Sequence, residues 1–420
     1  MAASLQKGED GVPLGVHEIN SRSFSTGTLK YPIPRLVVAI AAVWVALAPA
    51  GVGAAGATWE QWRSVKGVVD VDGPRTDGTF VVAGSGALYL LDAEGNLSDF
   101  ARGPGGYHED AGSEAYIAVS RGGHVESAGC DFTPDEIFIL RLHNPFGINR
   151  VNATGDESGS FTNLTGVTSL TGIAFDTTGL FDHRLMVSGT RSGKTTIFAI
   201  DCNGGVKTIT KTAPLVEGGL AVAPSTFGSF AGQLIASDEL SGKIYAIPPD
   251  GRVALITKPA LRTGGDIGVE SVGFVPDGFT ARGGAVYYSD RLSPGSAHPG
   301  SDNVLRLSSG ALADNLVQDG DLLVATEGGA QLTAIRCGAN CTLLPVVTTA
   351  TKAHGEGHIV FSMNPAPSPP PPSQPATSRP LLPQSVLDFV GAWGLPVAVS
   401  ALLVVFLAFV AVQAIRRRAR

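Results

Sequence analysis

Four short apolar runs separated by turn residues occupy positions 214–259, and no other stretch limits so strongly what this chain can fold into. The runs are Gly219–Ala223, Gln233–Ser237, Lys243–Ile247 and Arg252–Thr257, and the gaps carry Pro-Ser-Thr-Phe-Gly, Asp-Glu-Leu-Ser-Gly and Pro-Pro-Asp-Gly. Each run has the length of a strand, each gap has turn chemistry, and no run shows the 3.6-residue period of a helix. The stretch therefore predicts one four-stranded antiparallel meander. Fifty-four glycines and only 16% charged residues suit a chain made of many such units.

Imperfect copies fill most of the sequence. An apolar strand, a polar turn and a second strand recur at 88–100, 137–151, 197–210, 244–257, 304–316 and 332–344. Another apolar strand precedes each copy, at 80–84, 115–120, 184–189, 233–238, 285–290 and 321–326. In most copies a third run opens near a Gly or Glu, at 67–73, 171–179, 218–224 and 270–278; in the second copy, 115–120 also reads as the opening strand. Four-stranded units repeating every ~45–60 residues are the pattern of a β-propeller, because one such sheet cannot bury both faces alone. Six copies predict an all-β, six-bladed propeller of four-stranded antiparallel blades over 58–363. The sixth copy lacks an opening strand, and 354–362 (HGEGHIVFS) has the pattern to supply it and close the ring.

The Gly-apolar-x-apolar opening at Gly219–Val222, the Leu-Ile-Ala-Ser-Asp strand at Leu234–Asp238 and the Lys-Ile-Tyr-Ala-Ile…Asp-Gly unit at Lys243–Gly251 resemble the NHL and regucalcin/gluconolactonase propellers. The resemblance covers roughly residues 65–362 and implies fold more than activity. In the regucalcin-like group an acidic residue opening a blade helps bind a divalent metal. Glu217, in VEGGLAVAP, is the positional match, with Gly219 where that group has proline.

The two ends read differently. Residues 1–57 are expected to be a signal peptide or N-terminal hydrophobic segment: Lys30 and Arg35 precede the apolar run Leu36–Leu47, and Ala-x-Ala sites end at Ala50 and Ala57. Residues 364–390 are expected to form a Pro-rich stalk, 391–415 an uncharged transmembrane helix, and 416–420 a basic cytoplasmic tail. Those features predict a single-pass cell-membrane protein with its propeller on the extracytoplasmic side. The formal net charge of −7, spread along the chain, argues against nucleic-acid binding, which needs a basic face.

Four cysteines in such a compartment are expected to pair as Cys337–Cys341 and Cys130–Cys202, one of three pairings. Sequons occur at Asn96, Asn152, Asn163 and Asn340. Glu114, Glu217, Glu270 and Glu356 each stand at the entrance to an expected inner strand. Carboxylates facing one axis could hold Ca²⁺; the alternative is that they are solvated or bind backbone amides. Asp238 and Asp290 end second strands and are expected to cap turns. Tyr107-His108-Glu109-Asp110, with His354, Glu356 and His358, offers histidine–carboxylate pairs for acid–base chemistry or for ordinary hydrogen bonding. Arg191–Thr195 lacks the full phosphate-loop spacing and reads as a hairpin loop. No catalytic set is complete. The expected function is a surface-displayed domain binding a glycan, small molecule or protein. The alternative is a lactonase- or sugar-dehydrogenase-like enzyme with a divalent metal in the central channel.

Overall fold

The computed structural model describes residues 56–109 and 114–365. They form six four-stranded antiparallel sheets whose first strands lie side by side around a central channel. From inner to outer edge, blade one is Val68–Asp72, Phe80–Gly84, Ala87–Leu91 and Leu97–Phe100. Blade three is Ser169–Phe175, Leu185–Arg191, Lys194–Ile200 and Val206–Ala213. Blade four, the expected meander, is Glu217–Val222, Leu234–Asp238, Lys243–Ile247 and Ala254–Thr257. Arg191 and Lys194 pair across the hairpin turn expected at 191–195.

Six apolar clusters hold the ring, one between each pair of neighbouring blades. Phe138, Leu140 and Ile148 of blade two meet Ile173 and Val187 of blade three; Ile235 and Ile244 of blade four meet Val272 and Val324. Each fully buried side chain of this kind contributes ~1.5–3 kcal/mol, so the apolar clusters between blades are a large part of what holds the ring. Inner strands approach so closely that side chains are excluded at some positions. A Cβ on Gly219 would lie 2.6 Å from the Gly357 carbonyl oxygen. The glycine that opens the repeat is thus a packing requirement.

Blade two takes the alternative register, with the run at 115–120 supplying its opening strand. Its strands are Ile117–Val119, Ile137–Arg141, Gly147–Val151 and Ser158–Asn163, so the signature at 137–151 supplies its second and third strands. Between the first two strands a hairpin is inserted, Gly123–Val125 against Cys130–Phe132. A disulfide from Cys130 to Cys202 ties this hairpin to blade three, and Cys337–Cys341 closes the outer hairpin of blade five.

The ring closes differently from the expectation. Blade five is Val269–Phe274, Leu322–Thr326, Leu332–Cys337 and Cys341–Val347. Blade six is Gly355–Met363, Gly284–Asp290, Asn303–Ser308 and Glu60–Ser64. The C-terminal strand does supply an inner strand, but it pairs with 284–290 and not with 321–326. The chain leaves blade five after one strand, builds the middle of blade six, and returns. Residues 304–316 are also not a strand–turn–strand unit, because Ser308 caps a short helix, Ser309–Asp314, its Oγ accepting from the Ala311 amide at 3.2 Å. The missing outer strand comes from the N-terminal side, Glu60–Ser64, antiparallel to Asn303–Ser308. Glu60–Ser64 and Gly355–Met363, from opposite ends of the described chain, therefore form the two edges of one sheet.

The expected N-terminal signal, the stalk and the segment 391–415 lie outside the described residues. Among the described residues no helix is long and apolar enough to cross a membrane. The expected single-pass membrane localisation, and the membrane as partner through a C-terminal helix, are therefore not supported.

Trp59 anchors the N-terminal strand: it is buried, tilts against Tyr288 with ring centroids 6.2 Å apart, and donates from Nε1 to the Ala330 carbonyl at 2.8 Å. Trp59→Ala should destabilise the propeller by about 3–5 kcal/mol in guanidinium unfolding. A loss within experimental error would show that the N-terminal strand does not close the ring.

Candidate functional site

The inner strands run in the same direction around the channel, so their starts converge at one mouth. Glu114, Glu217, Glu270 and Glu356 all stand there, as do residues that follow second strands, Glu239, Arg291 and Glu327. Glu270 and Glu356 are buried; Glu114 and Glu217 sit exposed at the rim. The four expected glutamates thus share a mouth and split into two layers.

The buried layer crosses the channel. The Tyr116 hydroxyl, just before blade two, lies 2.9 Å from Glu270 Oε1 of blade five and 2.6 Å from Glu356 Oε2 of blade six. One phenolic proton cannot serve two carboxylates, so one of these carboxyl groups supplies a proton itself. Burial first, and then neighbouring carboxylates, push Glu270 and Glu356 well above the usual carboxylate range. Burial also raises Glu239, with the hydrogen bond and charge of Glu327 adding to it, to about 8. Glu217, although open to solvent at the rim, is raised by partial desolvation of its carboxylate in the crowded mouth and then by the charges of Glu114 and Glu327. Arg291 offsets part of this charge, reaching Glu356 Oε1 at 3.3 Å and also pairing with Glu114.

One compact cluster stands inside this group. Glu327, His354 and Glu356 are all buried and present ligand atoms within 4.8 Å of one another. His354 Nε2 lies 2.8 Å from Glu327 Oε1 and 3.6 Å from Glu356 Oε1, while its buried Nδ1 has no hydrogen-bond partner. Asp290 fixes the strand entry by accepting from the His354 amide at 2.8 Å. Asp290 is therefore more than a turn cap, whereas Asp238 does cap its turn, accepting from the Ser241 amide at 3.1 Å. The cluster keeps Glu356 from the expected set and adds Glu327 and His354. Glu114, Glu217 and Glu270 are not part of it.

His358 has another role. Its Nδ1 lies 3.1 and 3.0 Å from the two Asp70 carboxylate oxygens, and its Nε2 lies 2.6 Å from the Ile173 carbonyl of blade three. Both ring nitrogens face acceptors, which only an imidazolium satisfies. Burial opposes the charge, but Asp70 and then Asp72 outweigh it and hold His358 at about 9. Asp70 also accepts from the backbone amides of Val71, Ile117 and His358, at 2.8, 2.8 and 2.7 Å. The pair joins blades one, two, three and six across the axis. Of the other expected cluster, Glu109 pairs with His143 at 2.8 Å, and Asp110 lies outside the described residues.

No protein-family model matches the chain, and no curated protein matches it in sequence. Solved structures similar to it include a catalytically inactive virginiamycin B lyase from Staphylococcus aureus with quinupristin, at 13% identity over 71% of this chain and 77% of that one, TM-score 0.40. A streptogramin B lyase follows at 11% over 73% and 95%, TM-score 0.38. A protein described as a gluconolactonase shares 15% over 60% and 92%, TM-score 0.30. Likeness at this level concerns the propeller fold, and the chemistry of the mouth is argued from its own residues.

The pH dependence of the His358 pair has a definite sign. Its folded pKa lies above the unfolded value of about 6.5, so its stabilisation is complete below that pH and is lost as pH rises through about 9. Melting temperature should fall between pH 7 and 9.5. His358→Asn should cost about 3–5 kcal/mol at pH 7, because Asp70 is left charged and unpaired, and should remove that part of the slope. An unchanged slope in the variant would mean that His358 is neutral in the folded protein.

Proposed function

We propose that the acidic mouth binds a divalent cation and, through it, a small oxygen-rich ligand. The observation that carries this reading is the buried triad Glu327, His354 and Glu356, with its ligand atoms within 4.8 Å. Two carboxylates and one imidazole form a mixed oxygen and nitrogen donor set. Four glutamates alone would favour Ca²⁺; the imidazole moves the preference toward a softer ion such as Mn²⁺ or Zn²⁺. Three protein ligands leave positions open for water and for a ligand oxygen. The other carboxylates have a role in this reading as well. A cation would stabilise the ionised forms of Glu270 and Glu356, which burial otherwise disfavours.

A second reading, hydrolysis of a cyclic ester or a related reaction at the same mouth, draws on one observation. Glu239, raised to about 8 by burial and by Glu327, stands beside the triad, where its carboxyl could act as general acid. Here the bound ion would supply Lewis acidity, while Glu327 and Tyr116 orient the groups around it.

Calorimetric titration with Mn²⁺, Zn²⁺ and Ca²⁺ tests the first reading. One site per chain is expected, with Glu356→Gln or Glu327→Gln weakening affinity by at least about tenfold while leaving the fold intact. Absence of heat with all three ions would refute it. A lactone-hydrolysis screen with the preferred ion then decides the second reading: turnover that survives Glu239→Gln unchanged removes Glu239 as the acid.

A further inference from the structure

The opposite mouth is chemically unlike the first. The C-terminal ends of all six inner strands surround a cavity of ≈ 470 Å³, within the size range of small-molecule sites. Phe175, Val222, Phe274 and Phe361 give it apolar walls. Two arginines stand at its rim, Arg121 beyond the inner strand of blade two and Arg282 ending the short helix Phe279–Arg282. Among the lining residues the one carboxylate is Asp72, and both its oxygens face backbone amides: Oδ1 accepts from Gly73 at 2.7 Å and Oδ2 from Val119 at 2.6 Å.

The cavity does not continue to the acidic mouth. His358, held between Asp70 and Ile173, crosses the channel at its inner end, and Tyr116 with Glu270 and Glu356 crosses it again beyond. A ligand in this cavity therefore meets apolar walls, two guanidinium groups, the amide-bonded Asp72 carboxylate and the His358 ring, but not the glutamates. Arg121 donates through Nη2 to the Gly73 carbonyl; Arg282 donates to the Asn364 carbonyl from Nε at 2.9 Å and Nη2 at 2.6 Å. Neither guanidinium is within ion-pair distance of a carboxylate among the described residues; Arg121 feels the charge of Asp72, whose oxygens are already taken by backbone amides, so both guanidinium groups keep N–H donors for an incoming anion.

We propose that this cavity is a second binding site, for a small amphipathic organic anion whose apolar body enters the channel and whose carboxylate meets Arg121 and Arg282. The proposal is independent of cation binding at the other mouth. Apolar burial supplies the attraction, and the arginines select the sign of the head group.

Octanoate, octylammonium and octan-1-ol, equal in chain length and different in charge, provide the test on the full chain by calorimetry. Octanoate should bind with one site and at least about tenfold more tightly than either of the others, because it alone can accept charge-assisted hydrogen bonds from the guanidinium groups. The exposed double variant Arg121→Gln/Arg282→Gln should keep the wild-type melting temperature and lose that preference. Glu356→Gln should bind octanoate as the wild type does, which separates failure here from failure of the cation reading. Equal affinity for all three probes, no octanoate binding, or a preference that survives in the double variant would each overturn the proposal.

Discussion

A charged histidine lies across the axis of this propeller, and much of the structure depends on it. The inner strand of a blade has one edge without a sheet partner, so its amides need acceptors that the neighbouring blade must provide. Asp70 and Asp72, two residues apart on the inner strand of blade one, accept from Ile117 and Val119 of the short inner strand of blade two. The carboxylate of Asp70 is too costly to bury alone, and His358 neutralises it while reaching the opposite blade through Ile173. One ion pair thus satisfies an exposed strand edge and links four of the six blades.

The same crossing gives the channel two unlike ends. On the side where inner strands begin, glutamates accumulate faster than cations can offset them. Shared protons, the Tyr116 hydroxyl and Arg291 hold this cluster together without a ligand, at the cost of raised carboxyl pKa values. Where the inner strands end, the walls are apolar and the rim carries arginines. A single channel passing straight through could not keep these environments apart. His358 lies two residues beyond Glu356 on one strand and four beyond His354, which immediately precedes that strand, so two of the three metal-type ligands and the barrier come from the same stretch of sequence.

Much of the fold was legible because the strand pattern is local. Turn residues at 224–228 and 238–242 and the apolar runs between them define blade four without reference to any other part of the chain. Which inner strand a hairpin joins is not local. Residues 285–290 and 321–326 are both short apolar strands, and nothing within either says that the first pairs with 355–363 and the second with 269–274. The mouth was half legible for a related reason. Glutamates that open strands stand out in sequence, whereas Glu239, Arg291 and Glu327 each follow a second strand directly, after Asp238, Asp290 and Thr326. That shared position was a usable signal: in an antiparallel blade, the end of the second strand lies beside the start of the first. Asp70 carried no signal, since an aspartate within an apolar strand reveals its partner only when the ring is closed.

The central claim is that the buried triad at the acidic mouth is a cation site. Anomalous diffraction from crystals grown with Mn²⁺ addresses it directly. The account predicts a single strong peak bounded by Glu327, His354 and Glu356. A map with no peak there, or with density only at the exposed rim beside Glu114 and Glu217, would contradict it.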